Sequence, residues 1–219
     1  SVGVKNMNAD IIFGHPNHAK KVLKHSLDIL SNMKVPHVSL YGLTLYPGTP
    51  FYKQKLTINQ DSQGDQYCYI QSFLSDVGYE QYEVSNFSFP GYTCKHNLKY
   101  WQLQSTIGLG PSAHSFFMGK RYCNAKNFNT YITSVPKKLP KQSVSHHDWN
   151  DFVSARFRCL LPIPFSYIKK QYNINFLAQF ESDIAHLSAS NFIKVTDKTI
   201  VVTPTGTPLL DDIVCCFLL

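Results

Sequence analysis

The sequence predicts a mixed α/β fold followed by a small α+β domain. Three observations carry this expectation. Short apolar strand-like runs alternate with amphipathic helical stretches over the first third. The middle is rich in Gly, Pro and aromatic residues and poor in periodicity, and from Asp148 the pattern turns to helices closed by a hairpin. At 219 residues with 43% hydrophobic content, the chain can bury one full core and a small second one.

Residues Asn8–Phe13 (NADIIF) form an apolar run ended by Gly14-His15-Pro16, a strand with its loop. Residues 18–33 put Val22, Leu23, Leu27 and Leu30 on one helical face and Lys20, Lys21 and Lys24 on the other. Pro36 stops that helix, and HVSLYGL at 37–43 reads as the next strand. Turn chemistry fills 45–51, a helix is expected in 66–77 and a strand in 79–84. Strand, helix, strand, helix, strand is the grammar of parallel βα units. The stretch 86–126 then reads as long loops, which inside a compact domain usually carry function. A short helix and a basic linker at 136–141 follow, so the domains are drawn as 1–141 and 148–219.

In the second domain Trp149, Phe152, Val153, Phe157 and Leu160 share one face of a helix ended by Pro162. A second helix begins at Pro164, and a third carries Phe176, Leu177, Phe180, Ile184 and Leu187. Residues 192–195 and 199–203 read as a hairpin around Asp197-Lys198, and 204–219 as a closing helix with Thr203 as its cap. Three helices and a two-stranded wing make a winged-helix-like outline. Such domains often grip DNA with the third helix. Residues 171–193, however, hold no Lys or Arg and do hold Glu181 and Asp183, so no nucleic-acid partner is expected. This domain is expected instead to cover the first, with Trp149, Phe176 and Phe180 partly serving as interface.

The 21 basic and 14 acidic residues give a net charge of +7. Residues 84–147 contain Lys95, Lys99, Lys120, Arg121, Lys126, Lys137, Lys138 and Lys141 and no Asp or Glu. That bias favours carboxylates, phosphates or lipid headgroups, and so admits peripheral membrane contact; a solvated basic face is the alternative. No apolar run approaches the ~18 residues of a membrane span. Lys5, Asn6, Asn8 and Asp10 interrupt any signal-peptide pattern, and the chain starts at Ser1 without Met, as a fragment would. The expectation is a soluble, cytoplasmic protein whose oligomeric state the sequence leaves open. Its six cysteines form no metal-ligand spacing and read as thiols, the Cys215-Cys216 pair as packing.

Three longer motifs are more specific. GYEQYEVSNF at 78–87 leads into PGYTCKHNLKYW at 90–101, and GLGPSAHS follows at 108–115. Together they resemble the radical S-adenosylmethionine (SAM) proteins related to oxygen-independent coproporphyrinogen III oxidase. Within that group His-Asn-x-x-Tyr-Trp resembles the haem-chaperone type. NADIIFGHP at 8–16 is similar to the family's N-x-D-L-I-Y-G-L-P segment, and YGLT with PGTP at 41–50 to its Y-x-L-T-x-x-P-G-T-P. The resemblance runs through about residues 8–118 and, more faintly, the closing 202–213. It implies the C-terminal part of a radical SAM (β/α) barrel, a bound SAM and a [4Fe–4S] cluster.

Departures from the family are equally plain. Its cluster motif CxxxCxxC and its glycine-rich and glutamate SAM segments are absent here. His15-Pro16 replaces the usual Leu-Pro, and 152–161 lacks the expected glycine-containing motif. This chain alone is not expected to ligate a cluster or perform radical chemistry.

Residue by residue, the resemblance implies that Asp10 contacts SAM; a carboxylate capping the next βα loop is the other reading. Leu43 would line the adenosine pocket, mostly through its backbone, or else belong to barrel core. His114 corresponds to the family's pocket-lining residue at the last strand, and Glu83 and Asn86 would organise the same mouth. His96, in a Lys-flanked loop beside Tyr100 and Trp101, suits axial ligation of haem, with Lys95 and Lys99 meeting propionates. The alternative is an imidazole satisfied by loop backbone, and Asn97 reads as structural. Gly108-Leu109-Gly110 permits close backbone approach, as cofactor loops do. His15 and His18 make a metal pair without a third ligand. Two functions follow: a chaperone that binds haem or porphyrin and hands haem to an accepting protein, or an oxidase that decarboxylates coproporphyrinogen III. The His-Asn-x-x-Tyr-Trp motif favours the first. A third option is a barrel remnant acting as an interaction module.

Overall fold

The computed structural model describes residues 3–16, 20–134, 142–146 and 148–219, with 134 and 142–146 by their backbone alone. His18, Lys137, Lys138, Lys141 and the linker 136–141 fall outside the described residues. The chain divides into two compact units, Ser1–Thr93 and Cys94–Leu219, each described by itself.

In the first unit, β1 (Asn8–Phe13) pairs in parallel with β2 (His37–Gly42), Asn8 opposite His37 and Phe13 opposite Gly42. Between them runs α1 (Lys20–Met33); α2 (Pro50–Lys53) and α3 (Gln60–Asp76) follow. The third helix starts six residues before the expected 66, because the Asn59 side chain accepts from Ser62 N–H at 2.9 Å and caps it. Alternation along β1 buries Ile11 and Phe13 and exposes Asn8, Asp10 and Ile12. The buried side meets Leu23 and Leu27 of α1 and Tyr67, Ile70 and Leu74 of α3 in one core with Val38, Leu40 and Phe87. Leu27, Val38 and Ile70 are fully buried, each worth about 1.5–3 kcal/mol.

The strand expected in 79–84 departs from the parallel scheme. The chain forms β3 (Glu80–Gln81), turns back at Glu83, whose carbonyl accepts from Asn86 N–H at 3.4 Å, and continues as β4 (Asn86–Ser88). Strand β4 lies antiparallel to both β2 and β3, so the sheet order is β1-β2-β4-β3.

The second unit opens with α4 (Lys95–Trp101). Next come β5 (His114–Phe117) and β6 (Lys120–Cys123), a hairpin inside the stretch read as loop. Its two-residue turn, Met118-Gly119, has φ of +51° and +71°, the left-handed pair that a type I′ turn requires. After α5 (Phe128–Ser134), β7 (Gln142–His146) joins the far edge of β6.

The C-terminal stretch holds α6 (Trp149–Arg156), β8 (Ile163–Pro164), α7 (Phe165–Tyr172), α8 (Phe176–Gln179), α9 (Glu181–Ala189), β9 (Ile193–Val195), β10 (Thr199–Val202) and α10 (Leu210–Cys216). The hairpin around Asp197-Lys198 is present, and β8 adds a third strand in the order β8-β10-β9. Two helices differ from expectation. The third is broken at Phe180, whose φ of −121° ends α8 before α9 begins. The closing helix begins at Leu210 after a 3-10 turn, Thr207–Leu209, although Thr203 Oγ1 does accept from Gly206 N–H at 3.1 Å.

Trp149, Phe176 and Phe180 are not spare surface. They are 7%, 2% and 5% exposed and stack among Phe157, Tyr172 and Phe217. The Trp149 indole N–H donates to Phe217 O at 2.7 Å. These rings are the core of 148–219 itself, packed on one another and on Phe217, so the interface role expected of them is corrected. Among the described residues no helix is long and apolar enough to cross a membrane.

Candidate functional site

The candidate site residues fall on two surfaces. In the first unit Asp10 and Asn86 lie on the sheet face opposite the helices, while Leu43 follows β2 and Glu83 lies in the turn before β4. Because paired residues point the same way, Asn8, Asp10, His37, Ser39, Asn86 and Ser88 share that face. His37 is 6% exposed; its Nδ1 lies 2.6 Å from Asn8 Oδ1 and its Nε2 2.7 Å from Tyr82 OH. Asn8 Oδ1 is an acceptor, so Nδ1 carries the proton and Nε2 accepts from Tyr82. Ser39 Oγ donates to the same Asn8 oxygen at 3.1 Å, and Asn8 Nδ2 donates to Asp10 Oδ1 at 2.7 Å.

Asp10 therefore sits mid-strand and exposed, because alternation turns it away from the core. It is held by Asn8 rather than capping a loop. Leu43 follows β2, half-buried, with its N–H donated to Phe13 O at 2.8 Å and its carbonyl accepting from Gln63 Nε2 at 3.2 Å. Its N–H is thus spent within the chain, which leaves the side chain and one carbonyl lone pair for a ligand. Asn86 Nδ2 donates to Glu83, which is fully buried, so these two predicted residues do meet. His15 packs edge-on against Phe51 at 5.4 Å.

Burial pushes the His37 imidazole below its ordinary value, while the nearby Asp10 charge pulls the other way. The folded state therefore resists protonation. Stability from this group is fully present above about pH 6.5, the unfolded value, and is lost as pH falls through the lower folded value. Denaturant midpoints should fall between about pH 7 and 5, and His37→Gln should flatten that slope. An equal slope in the variant would refute the assignment.

In the second unit, His96 lies on helix α4, not in a loop. One turn separates it from Tyr100, and the Nε2 to OH distance is 3.1 Å with the rings edge-on at 4.9 Å. Its partner is thus a side chain rather than backbone, and the ring is exposed, as are Lys95 and Lys99. Beyond Tyr100 opens a cleft of about 390 Å³ lined by Trp101, Phe116, Arg121, Asp151 and Ala155. Sequence reasoning missed it, because α4, the β5–β6 hairpin and α6 come together only in the fold.

His114, exposed at the start of β5, pairs across the hairpin with Cys123; Nε2 and Sγ are 3.6 Å apart. The glycine loop serves its own chain. A Cβ on Gly108 would lie 2.3 Å from the His114 carbonyl oxygen. Gly108 N–H donates to Ser115 Oγ at 2.9 Å, and Asn124 Nδ2 donates to the carbonyls of both Gly108 and Gly110. The close approach is to β5, beside a cavity of about 230 Å³ lined by Ile107, Phe117, Tyr122 and Tyr131. Asp10 and Leu43 belong to the first unit, His96 and His114 to the second.

The fold defines a class. The chain matches the structure of coproporphyrinogen III oxidase HemN from Escherichia coli, described as a radical SAM enzyme, with a TM-score of 0.70 and 19% identity, covering 96% of this chain and 54% of that one. Sequence narrows it. The chain is 34% identical over 150 residues to heme chaperone HemW of Lactococcus lactis, covering 65% of this chain and 40% of that protein. It is 33% identical to HemW of Bacillus subtilis, over 63% of this chain and 38% of the relative. It is 40% identical over 181 residues to HemW of Buchnera aphidicola subsp. Schizaphis graminum, over 78% and 47%. No family profile matches. The motif resemblance thus holds: the chain is similar to a C-terminal portion of HemW-type members of the coproporphyrinogen oxidase-like radical SAM family. It spans less than half the length of these three relatives.

The family implies SAM and [4Fe–4S]. The polar face around Asp10 and Asn8 suits the hydroxyl-bearing nucleoside end of SAM. The cluster does not fit: the sequence lacks CxxxCxxC, and among the described residues no three His, Cys, Asp or Glu side chains gather.

Proposed function

We propose that this chain is the haem-holding portion of a haem chaperone, which receives haem and passes it to a haem-less acceptor protein. The observation that carries this reading is His96. Its imidazole is exposed on α4, and Nε2 is held by one rotatable phenol, Tyr100, beside a cleft walled by Trp101. Moving a single side chain frees a nitrogen for iron, and an exposed ligand suits a cargo that must leave again. The HemW names of the relatives support the same reading.

Within this proposal residues 1–141 form the C-terminal part of a (β/α) barrel and 148–219 a winged-helix-like domain. Asp10 and Leu43, both of the first unit, serve SAM, which would bind through its adenosine. Asn8 would hold the Asp10 carboxylate ready for the ribose hydroxyls, and His37 would hold Asn8. A cytoplasmic setting fits the thiol-bearing composition. Cluster chemistry would need residues beyond those present here.

Haem added to the protein should give a shifted Soret band. His96→Ala should remove it or weaken binding by more than the about tenfold that loss of an outer-shell partner costs. Tyr100→Phe, which frees Nε2, should retain it. An unchanged spectrum and affinity in His96→Ala would sink the reading and leave His114 or Cys94 as the ligand.

A further inference from the structure

We propose that the cleft between α4, the β5–β6 hairpin and α6 takes the carboxylate-bearing edge of a flat aromatic ligand, with Arg121 as its anchor. This rests on the haem reading above, for which the carboxylate is a propionate, and it moves that contact from Lys95 and Lys99 to Arg121.

The cleft has the chemistry of such a site. Tyr100, Trp101 and Phe116 give it aromatic walls, and Arg121 with Asp151 supplies its charges. Flat apolar walls bury a ring system, and a guanidinium fork matches a carboxylate with two parallel N–H donors. Arg121 is poised rather than locked. Its contact with Asp151 is Nε to Oδ2 at 3.3 Å, longer than the about 2.7–2.9 Å of a strong charge-assisted bond. That contact leaves the terminal guanidinium nitrogens, the bidentate edge, outside the pair. The guanidinium lies over the Phe116 ring, 5.7 Å from its centre, which orients the plane. Its side chain keeps 42% of its exposure, so a ligand can reach it. Lys95 and Lys99 do not line the cleft. His96 holds Tyr100 at the rim, which links the proposed iron ligand to this wall.

The test compares two probes on the intact chain: haem, and the iron porphyrin with both propionates esterified. Wild type should bind haem about tenfold or more tightly than the diester, the usual worth of a hydrogen bond to a charged group. Arg121→Gln should erase that preference while keeping a His96-dependent Soret shift. Arg121→Lys should keep part of it, and Lys95→Gln with Lys99→Gln should leave it intact. A preference that survives Arg121→Gln, or that vanishes with the lysines, would overturn the proposal. If haem does not bind wild type at all, the haem reading fails, and pyrenecarboxylate against pyrenecarboxamide, read by Trp101 quenching, decides the cleft. Arg121-dependent selection of the acid supports it; equal binding, or none, overturns it.

Discussion

Phe176→Ala is expected to cost about 3–5 kcal/mol of folding stability, the largest loss from any truncation in the C-terminal core. Phe176 is 2% exposed and lies within 5.1–6.4 Å, centre to centre, of Phe180, Phe217, Phe165, Trp149 and Phe157. Removing the ring leaves a cavity that rigid aromatic neighbours cannot collapse into, so the lost contacts add to the lost transfer energy. The neighbouring Leu177→Ala, at a side chain 42% exposed, should change stability by about 0.5 kcal/mol or less. Urea denaturation followed by near-ultraviolet circular dichroism separates the two. Similar costs at both positions would mean that the ring cluster is not the core.

Gly108→Ala should be the most damaging single methyl in the glycine loop. The added carbon would sit 2.3 Å from the His114 carbonyl oxygen, and that obstacle is backbone, not a side chain that can swing away. Strand β5 must shift at its first residue, breaking the Gly108 N–H to Ser115 bond and pulling on Asn124. Overpacking of this kind costs about 1–3 kcal/mol. Gly64→Ala is the contrast: it lies within α3 with nothing near the new carbon, and should gain about 0.5–1 kcal/mol. Amide shifts spreading from His114 to Cys123 in Gly108→Ala would fit; a silent spectrum with unchanged stability would refute the steric argument.

What was legible in the sequence was local. Asn8–Phe13, the helix before Pro36, the strand from His37 and the hairpin around Asp197-Lys198 stand where periodicity and turn residues put them. The β5–β6 hairpin escaped because its strands, HSFF and KRYC, are four residues each and show no alternation of apolar and polar residues. The antiparallel β4 escaped because three residues carry no pattern, and pairing with β2 across some fifty residues decided it. The sequence does not announce α4 at His96, because Cys94, which stands at its N-cap, is not a capping residue type. The motifs located Asp10 and His96, but not their partners. His37 meets Asn8 and Tyr82 at separations of 29 and 45 residues, and the Arg121–Asp151 pair spans 30. Only the fold brings such groups together.

The run Tyr82, His37, Asn8, Asp10 has a polarity, each donor facing the next acceptor in one direction. Turning the Asn8 amide over would set its NH2 against the His37 N–H and its oxygen against the Asp10 carboxylate. Two bonds would become two repulsions, and the one at the buried His37 N–H falls on a group with little water to turn to. Exchanging Asn8 for the isosteric aspartate would do the same at one end, giving Asp10 a second carboxylate for a neighbour. Position 8 is therefore selected for an amide in one orientation, and shape and hydrophilicity alone do not satisfy it.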